Sequence, residues 1–274
     1  MATKISAPPA WRHYVDGWVE SLVVAGLSLQ TVKCRRYKLA HLASLLAASP
    51  DDVTTAQIIH VFAMQDWSPE TRKAYRATAV SFFKWLRSSG HREDDPSADL
   101  PSVRKPQPHP HPCPDVSISR ALRAARGMDA VMLRLAAECG LRRGEIARVK
   151  SDDLVRDARG WMLIVRGKGD KQRLVPVPDD LAHAIDAAHG WLLPGRWTGH
   201  VEESYVGKHL SRLLPAGYGA HSLRHRFATT VYADTNDLLV VSRLLGHAST
   251  ETTERYVAMP DGRLHDAVAG VAIR

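Results

Sequence analysis

The sequence predicts a mainly helical protein in two parts: an N-terminal four-helix bundle, then a mixed α/β domain with a small three-stranded antiparallel sheet. Three observations predict it. Apolar residues recur at helical spacing through the first 90 residues, a proline-rich stretch interrupts the chain, and one alternating hairpin pattern lies among helical stretches downstream.

The elements follow in order. "WRHYVDGWVESLVVAG" supplies a first helix and "TTAQIIHVFAMQ" a third. Between them, "LSLQTVKCRRYKLAHLASLL" turns Val32, Leu39, Leu42 and Leu46 toward a core. In "SPETRKAYRATAVSFFKWLRSSG", Tyr75, Ala79, Phe82, Phe83 and Leu86 repeat at helix spacing, with Ser68 as cap, Pro69 at the first position and Gly90 as stop. Seven prolines then fall from Pro96 to Pro114, alternating strictly through "PQPHPHPCP". Such a segment cannot be helix or interior strand, and it reads as an extended linker. His109, His111 and Cys113 alternate within it, but residues two apart on a stiffened chain converge poorly on one ion. No metal site is expected. The boundaries are residues 1–95 for the bundle, 96–116 for the linker and 117–274 for the second domain.

Downstream, "DAVMLRLAAECG" reads as an apolar helix stopped by Gly140. "GWMLIVRGKGDKQRLVPVP" alternates on both sides of a Gly-Lys-Gly-Asp turn, and "SDDLV" before it adds a third strand. Helical stretches resume at "DDLAHAIDAAHG", "VEESYVGKHLSRLLP", "HSLRHRFATTVYA" and "DLLVVSRLLG". In "LLGHASTETTERYVAM" the hydroxyls from Ser249 onward suit a short helix start, with His247 in the preceding loop and Tyr256 about two turns in.

Bulk properties narrow the function. The chain has 274 residues, 45% hydrophobic and 24% charged, ordinary values for a globular protein. No apolar run approaches the roughly 20 residues of a membrane span, and the N-terminus has no signal-peptide h-region, so a cytoplasmic protein is expected. Only Cys34, Cys113 and Cys139 are present, which implies no disulfide framework. The net charge of +8 points to a polyanionic partner. Residues 1–105 carry 14 Lys/Arg against 10 Asp/Glu and the remainder 23 against 19, so both halves are net positive, as for a protein that grips DNA from both sides. Two bundle helices carry basic clusters: Lys33, Arg35, Arg36 and Lys38, then Arg72, Lys73 and Arg76. Solvated helix faces would look the same as phosphate and major-groove contacts, and the clusters alone do not separate the two.

Four stretches of the second half carry chemistry together. They are "CGLRRGEIARV" with Arg142 and Glu145, the hairpin tip with Lys168, "HSLRHRF" with His221 and Arg224 on one helix face, and the stretch with His247 and Tyr256. Each has a bland reading as surface ion pair, solvated lysine or structural histidine. As a set they match phosphoryl transfer. Two guanidiniums can clamp the non-bridging oxygens of a phosphodiester under attack, without a metal. An imidazole adds a hydrogen bond or moves a proton near neutral pH. A lysine on a hairpin can protonate the departing oxygen. A phenol of ordinary pKa near 10 becomes a nucleophile where cations favour its phenolate.

The order and spacing of these motifs resemble the tyrosine recombinases, the phage integrase family, over essentially the whole chain. The resemblance implies a helical core-type DNA-binding domain, a linker and a catalytic domain. "GLRRGEI" looks like the first catalytic box, which makes Arg142 the first clamp and Glu145 its accompanying acid. "GKGDKQRLVPVP" resembles the family hairpin, so Lys168 maps to the general acid. "HSLRHRFAT" resembles the second box, with His221 and Arg224 in the active positions. "LLGHASTETTERY" resembles the last, giving His247 as a phosphate hydrogen-bond donor and Tyr256 as nucleophile. Arg143 and His225 sit beside matched positions without matching them. One departure is Asn236, near which the family often has Gly.

The resemblance further implies metal- and ATP-independent cleavage and rejoining of double-stranded DNA through a 3′-phosphotyrosine, at a core-type site with inverted repeats, and no cofactor. It implies a homotetramer on two DNA sites assembled through the segment 260–274, with an accessory directionality factor as a possible partner. About ten residues precede the first helix, which is expected to exclude an arm-binding domain. Integration or excision of a phage or mobile element is the first expectation, and Xer-like resolution of chromosome or plasmid dimers the alternative. A type IB topoisomerase uses the same chemistry. A non-catalytic DNA-binding regulator is disfavoured because all six catalytic positions are filled.

Overall fold

The computed structural model describes residues 5–104, 110–167, 171–246 and 253. It separates into two units, Met1–Gln107 and Pro108–Arg274.

The first unit consists of α1 (Pro9–Val24), α2 (Leu29–Leu46), α3 (Thr55–Met64) and α4 (Pro69–Ser88). Each start is set locally. Ser28 and Ser68 accept from the amides of Thr31 and Thr71, Thr54 and Gln57 form a reciprocal capping box, and Pro69 opens α4. All the apolar positions singled out on the second and fourth helices are buried. The centre is aromatic: Trp11 stacks on Phe82 with centroids 5.4 Å apart, Trp18 meets the same ring edge-on, and the Trp11 indole N–H donates to Ala48 O at 2.7 Å. These rings fix the bundle.

The expected linker, 96–116, is narrower at both ends. Asp95 accepts from the Ser97 amide at 2.9 Å in a turn that buries Ser97 and Leu100 in the first unit, and Arg76 donates to the carbonyls of Leu100 and Pro101. On the far side Cys113 is buried and a helix begins at Asp115. The turn chemistry and apolar anchors outweigh the proline content there. Residues 106–109 of "PQPHPHPCP" lie outside the described residues.

The second unit opens with α5 (Asp115–Ala124), α6 (Met128–Ala137) and the single-turn α7 (Arg143–Ile146). A 3₁₀ turn at Ser151–Asp153 leads into β1 (Leu154–Asp157), β2 (Gly160–Arg166) and β3 (Gln172–Val177), an antiparallel meander in the order β1-β2-β3. Then come α8 (Asp179–Asp186), a two-residue hairpin of β4 (Pro194–Gly195) and β5 (Gly199–His200), α9 (Glu203–Leu213), α10 (Ala220–Thr235) and α11 (Leu238–Leu245). The three-stranded sheet agrees with expectation. The short α5 and α7 and the β4–β5 pair were not read from the sequence, since four or fewer residues carry no measurable periodicity and α5 follows directly on a proline run.

Two details position the site. Gly140 takes φ of 63° between α6 and α7, and a Cβ there would meet the Phe227 ring at 2.4 Å, so the chain turns hard against α10. Asn236, where the sequence departs from the family pattern, caps α10 with φ of 57°, a left-handed conformation that Asn tolerates nearly as well as Gly.

Candidate active site

The site is assembled around one carboxylate. Glu145 is the third residue of α7, and its side chain reaches back to the Arg142 amide at 2.8 Å, the acidic half of a capping box. The same carboxylate receives Arg142 Nη1 at 2.9 Å and both terminal nitrogens of Arg173, at 2.9 and 2.8 Å. Arg224 Nη1 lies 3.9 Å from it. Three guanidiniums therefore share one buried acid, and the cluster keeps surplus positive charge, which suits a phosphate. Burial alone would raise the Glu145 pKa. The Arg173 hydrogen bonds and charge, the Arg142 amide and Arg224 outweigh it and hold the group at about 2.

The arginines also converge on the C-terminal end of α11. Arg173 Nε donates to Leu244 O at 2.7 Å, Arg224 Nη2 to Leu245 O at 2.6 Å, and Arg142 Nη1 to Leu245 O at 3.4 Å. Helix ends leave carbonyls without intrahelical partners and carry partial negative charge, so this is where cations are held best. Gly246 makes the turn possible: its φ is 64°, and a Cβ would come within 2.9 Å of Arg173 Cδ. The chain leaving this anchored turn continues directly into His247.

His221 and Arg224 both project from the first turns of α10. Arg224 is buried, with Nη1 on Gly140 O at 2.6 Å. His221 stays exposed, and the buried His225 sets its ring edge-to-face against it, centroids 4.6 Å apart. Desolvation lowers the His221 pKa from its ordinary 6.5, and the Arg224 and Arg142 charges push the same way. Both influences favour the neutral imidazole over the cation. An NMR titration, with the resonance assigned by its loss in His221→Asn, should give a midpoint below 6.5. In Arg142→Ala the midpoint should rise, because one repelling cation is gone. A wild-type midpoint at or above 6.5 would refute this electrostatic account.

The structure thus brings together Arg142, Glu145, His221 and Arg224. Lys168, His247 and Tyr256 lie outside the described residues. Sequence reading missed Arg173 and set His225 aside. A signal for Arg173 was available: on β3 it alternates with Val175 and Val177, pairs with Val165, and so faces the core, while Leu174 between them is half exposed. A basic residue at an inward strand position calls for a buried acid. His225 lies four residues after His221, one helical turn on. Arg143, also set aside, is exposed and pairs with Glu203 at 3.5 Å.

The basic clusters of the bundle divide. Lys33 and Lys73 stand exposed on α2 and α4. Arg36 pairs with Asp16 at 2.7 Å, Arg35 donates to Ser81, Lys38 lies 2.7 Å from the Cys34 sulfur, and Arg72 donates to Gln65 O. Arg76 donates to the carbonyls of Leu100 and Pro101. Among the described residues no group of His, Cys, Asp and Glu could hold a metal, and no helix is long and apolar enough to cross a membrane.

Comparison with known proteins gives a consistent picture. A model of the phage integrase family matches residues 117–263, more than half of the chain. The tyrosine recombinase XerC of Chromobacterium violaceum is 30% identical over 271 residues, 88% of each chain. The tyrosine recombinase XerD of Brucella suis is 32% identical over 285 residues, 89% of this chain and 91% of that one. Among solved structures, a lambda integrase dimer bound to a COC′ core site aligns with a TM-score of 0.72 at 18% identity, covering 90% of this chain and 94% of that one. The XerH site-specific recombinase in its post-cleavage complex with a palindromic difH substrate aligns with a TM-score of 0.72 at 18% identity, covering 88% and 80%.

Proposed function

Because this chain belongs to the phage integrase family of tyrosine recombinases, enzymes that cleave and rejoin DNA strands, we propose that its cluster of arginines is the seat of a scissile DNA phosphate. The observation that carries the reading is the sharing of Glu145 by Arg142, Arg173 and Arg224 beneath the end of α11, with His221 exposed on the same helix as Arg224.

In this reading Arg142 and Arg224 hold the non-bridging oxygens, and His221 and His247 complete the hydrogen bonding around the phosphate. Tyr256 Oη attacks phosphorus and the bond to the 5′ oxygen breaks. The DNA 3′ phosphate is then esterified to the tyrosine, the phenol proton passes to the His221 imidazole, and Lys168 protonates the departing 5′ oxygen to give the 5′ hydroxyl. A 5′ hydroxyl from the partner strand reverses the step on the new phosphate, so the ester energy is conserved and neither ATP nor a metal is needed. Glu145 and Arg173 act beneath the phosphate, fixing Arg142 and the α11 turn.

The substrate is a core-type duplex with inverted repeats, gripped by the bundle through Lys33, Arg35, Arg36, Lys38, Arg72, Lys73 and Arg76. Four copies assemble on two sites through residues 260–274 in the bacterial cytoplasm, with a directionality factor where integration and excision must be distinguished. Integration or excision of a phage or mobile element is one outcome. Resolution of chromosome or plasmid dimers is the second, favoured by the likeness to XerC and XerD over nearly 90% of the chain.

The test is to incubate the protein in EDTA with nicked duplexes from the source genome, trap adducts with detergent and sequence the attached DNA. Adducts at one short inverted-repeat site are expected. Adducts scattered over many sequences would mean topoisomerase-like behaviour, and none despite tight binding would mean a regulator that does not cut.

A further inference from the structure

The chain entering the second unit is fastened to the helix that carries His221 and Arg224. Three contacts along five residues do this. The His111 ring stacks on Tyr218, with centroids 4.7 Å apart and planes 5° from parallel, just ahead of α10. The Cys113 amide, on a buried residue, donates to Ser222 O in the first turn of α10 at 3.0 Å. Asp115, first residue of α5, receives Arg226 Nε at 2.7 Å. Tyr218, Ser222 and Arg226 thus bracket His221 and Arg224 along the chain. The N-terminus of α10 is closed on itself at Gly219, whose amide donates to the Ser222 hydroxyl at 2.8 Å, so the same residue that receives the Cys113 amide also caps the helix.

We propose that residues His111–Asp115 are a brace that sets the position of α10, making His111 and Asp115 positioning residues for phosphoryl transfer. This rests on the proposed roles of His221 and Arg224. Contacts of this kind control rate more than folding. The Asp115–Arg226 pair is exposed on the carboxylate side, 71% for Asp115 against 28% for Arg226, so it is screened and contributes little to stability. Yet a shift of about 1 Å in a group holding a reacting phosphate is enough to cost up to about 100-fold in rate. The stack, the backbone bond and the ion pair hold α10 at three points, Tyr218, Ser222 and Arg226.

The experiment uses the full chain and the nicked duplex recovered from adduct sequencing. Asp115→Arg and Arg226→Asp are each expected to slow single-turnover cleavage about tenfold at saturating DNA. Duplex affinity should stay within about twofold, and the NMR titration midpoint of His221 should move toward 6.5. The double exchange, Asp115→Arg with Arg226→Asp, should restore both. Independently, His111→Ala should slow cleavage while His111→Phe, which keeps a stacked ring, should not. Wild-type rates in the single variants, or losses that neither the double exchange nor His111→Phe repairs, would overturn the brace. Those results leave adduct formation through Tyr256 untouched, whereas adducts that persist in Tyr256→Phe would overturn the catalytic reading instead.

Discussion

Tyr256→Phe is expected to abolish detergent-stable attachment to DNA, by at least about 10⁴-fold, while duplex affinity stays within about twofold. The substitution removes a single oxygen. The aromatic ring and every basic residue remain, so duplex binding keeps its charge, and the chemistry loses its nucleophile altogether. A hydroxide from solvent could replace the phenol only by hydrolysis, which leaves a broken strand and no covalent link. The measurement is therefore a gel of denatured adducts beside a binding titration on the same nicked duplex. Attachment that survives would assign the nucleophile to another residue.

Glu145→Ala should cost about 3–5 kcal/mol of folding stability, measured by urea unfolding. The loss comes less from the missing attraction than from what remains. Arg173, 10% exposed, and Arg224, 1% exposed, would both lose the buried carboxylate they share. Glu145→Ala with Arg173→Ala should therefore recover part of the loss, a coupling a double-mutant cycle would read. The pH dependence has a definite sign. The folded carboxyl sits at about 2, below its ordinary 4.5, so its contribution is complete above pH 4.5 and disappears as pH falls from there through about 2. That difference corresponds to about 3 kcal/mol. Acid unfolding between these limits should be blunted in Glu145→Ala relative to its own neutral stability. A cost below about 1 kcal/mol would mean that water reaches the arginines.

The sequence by itself determined what depends on a few neighbouring residues. Caps at Ser68 and Thr54, apolar spacing along α2 and α4, and the alternation of β2 and β3 each work through bonds or faces within one or two turns of chain, so they are legible in order. Arg142, Glu145, His221 and Arg224 were legible for a related reason: each box is a local pattern, and chemistry constrains residue type within it. Tertiary structure alone decided which of these meet, and what else joins them. Arg173 reaches Leu244 O across 71 positions, and Arg142 reaches Leu245 O across 103. No periodicity encodes the fact that the C-terminal carbonyls of α11 become the anchor of three guanidiniums, or that the linker's end lies on α10. Those facts follow from packing, because a buried cation is stable only where the fold brings an acid and unpaired carbonyls to it.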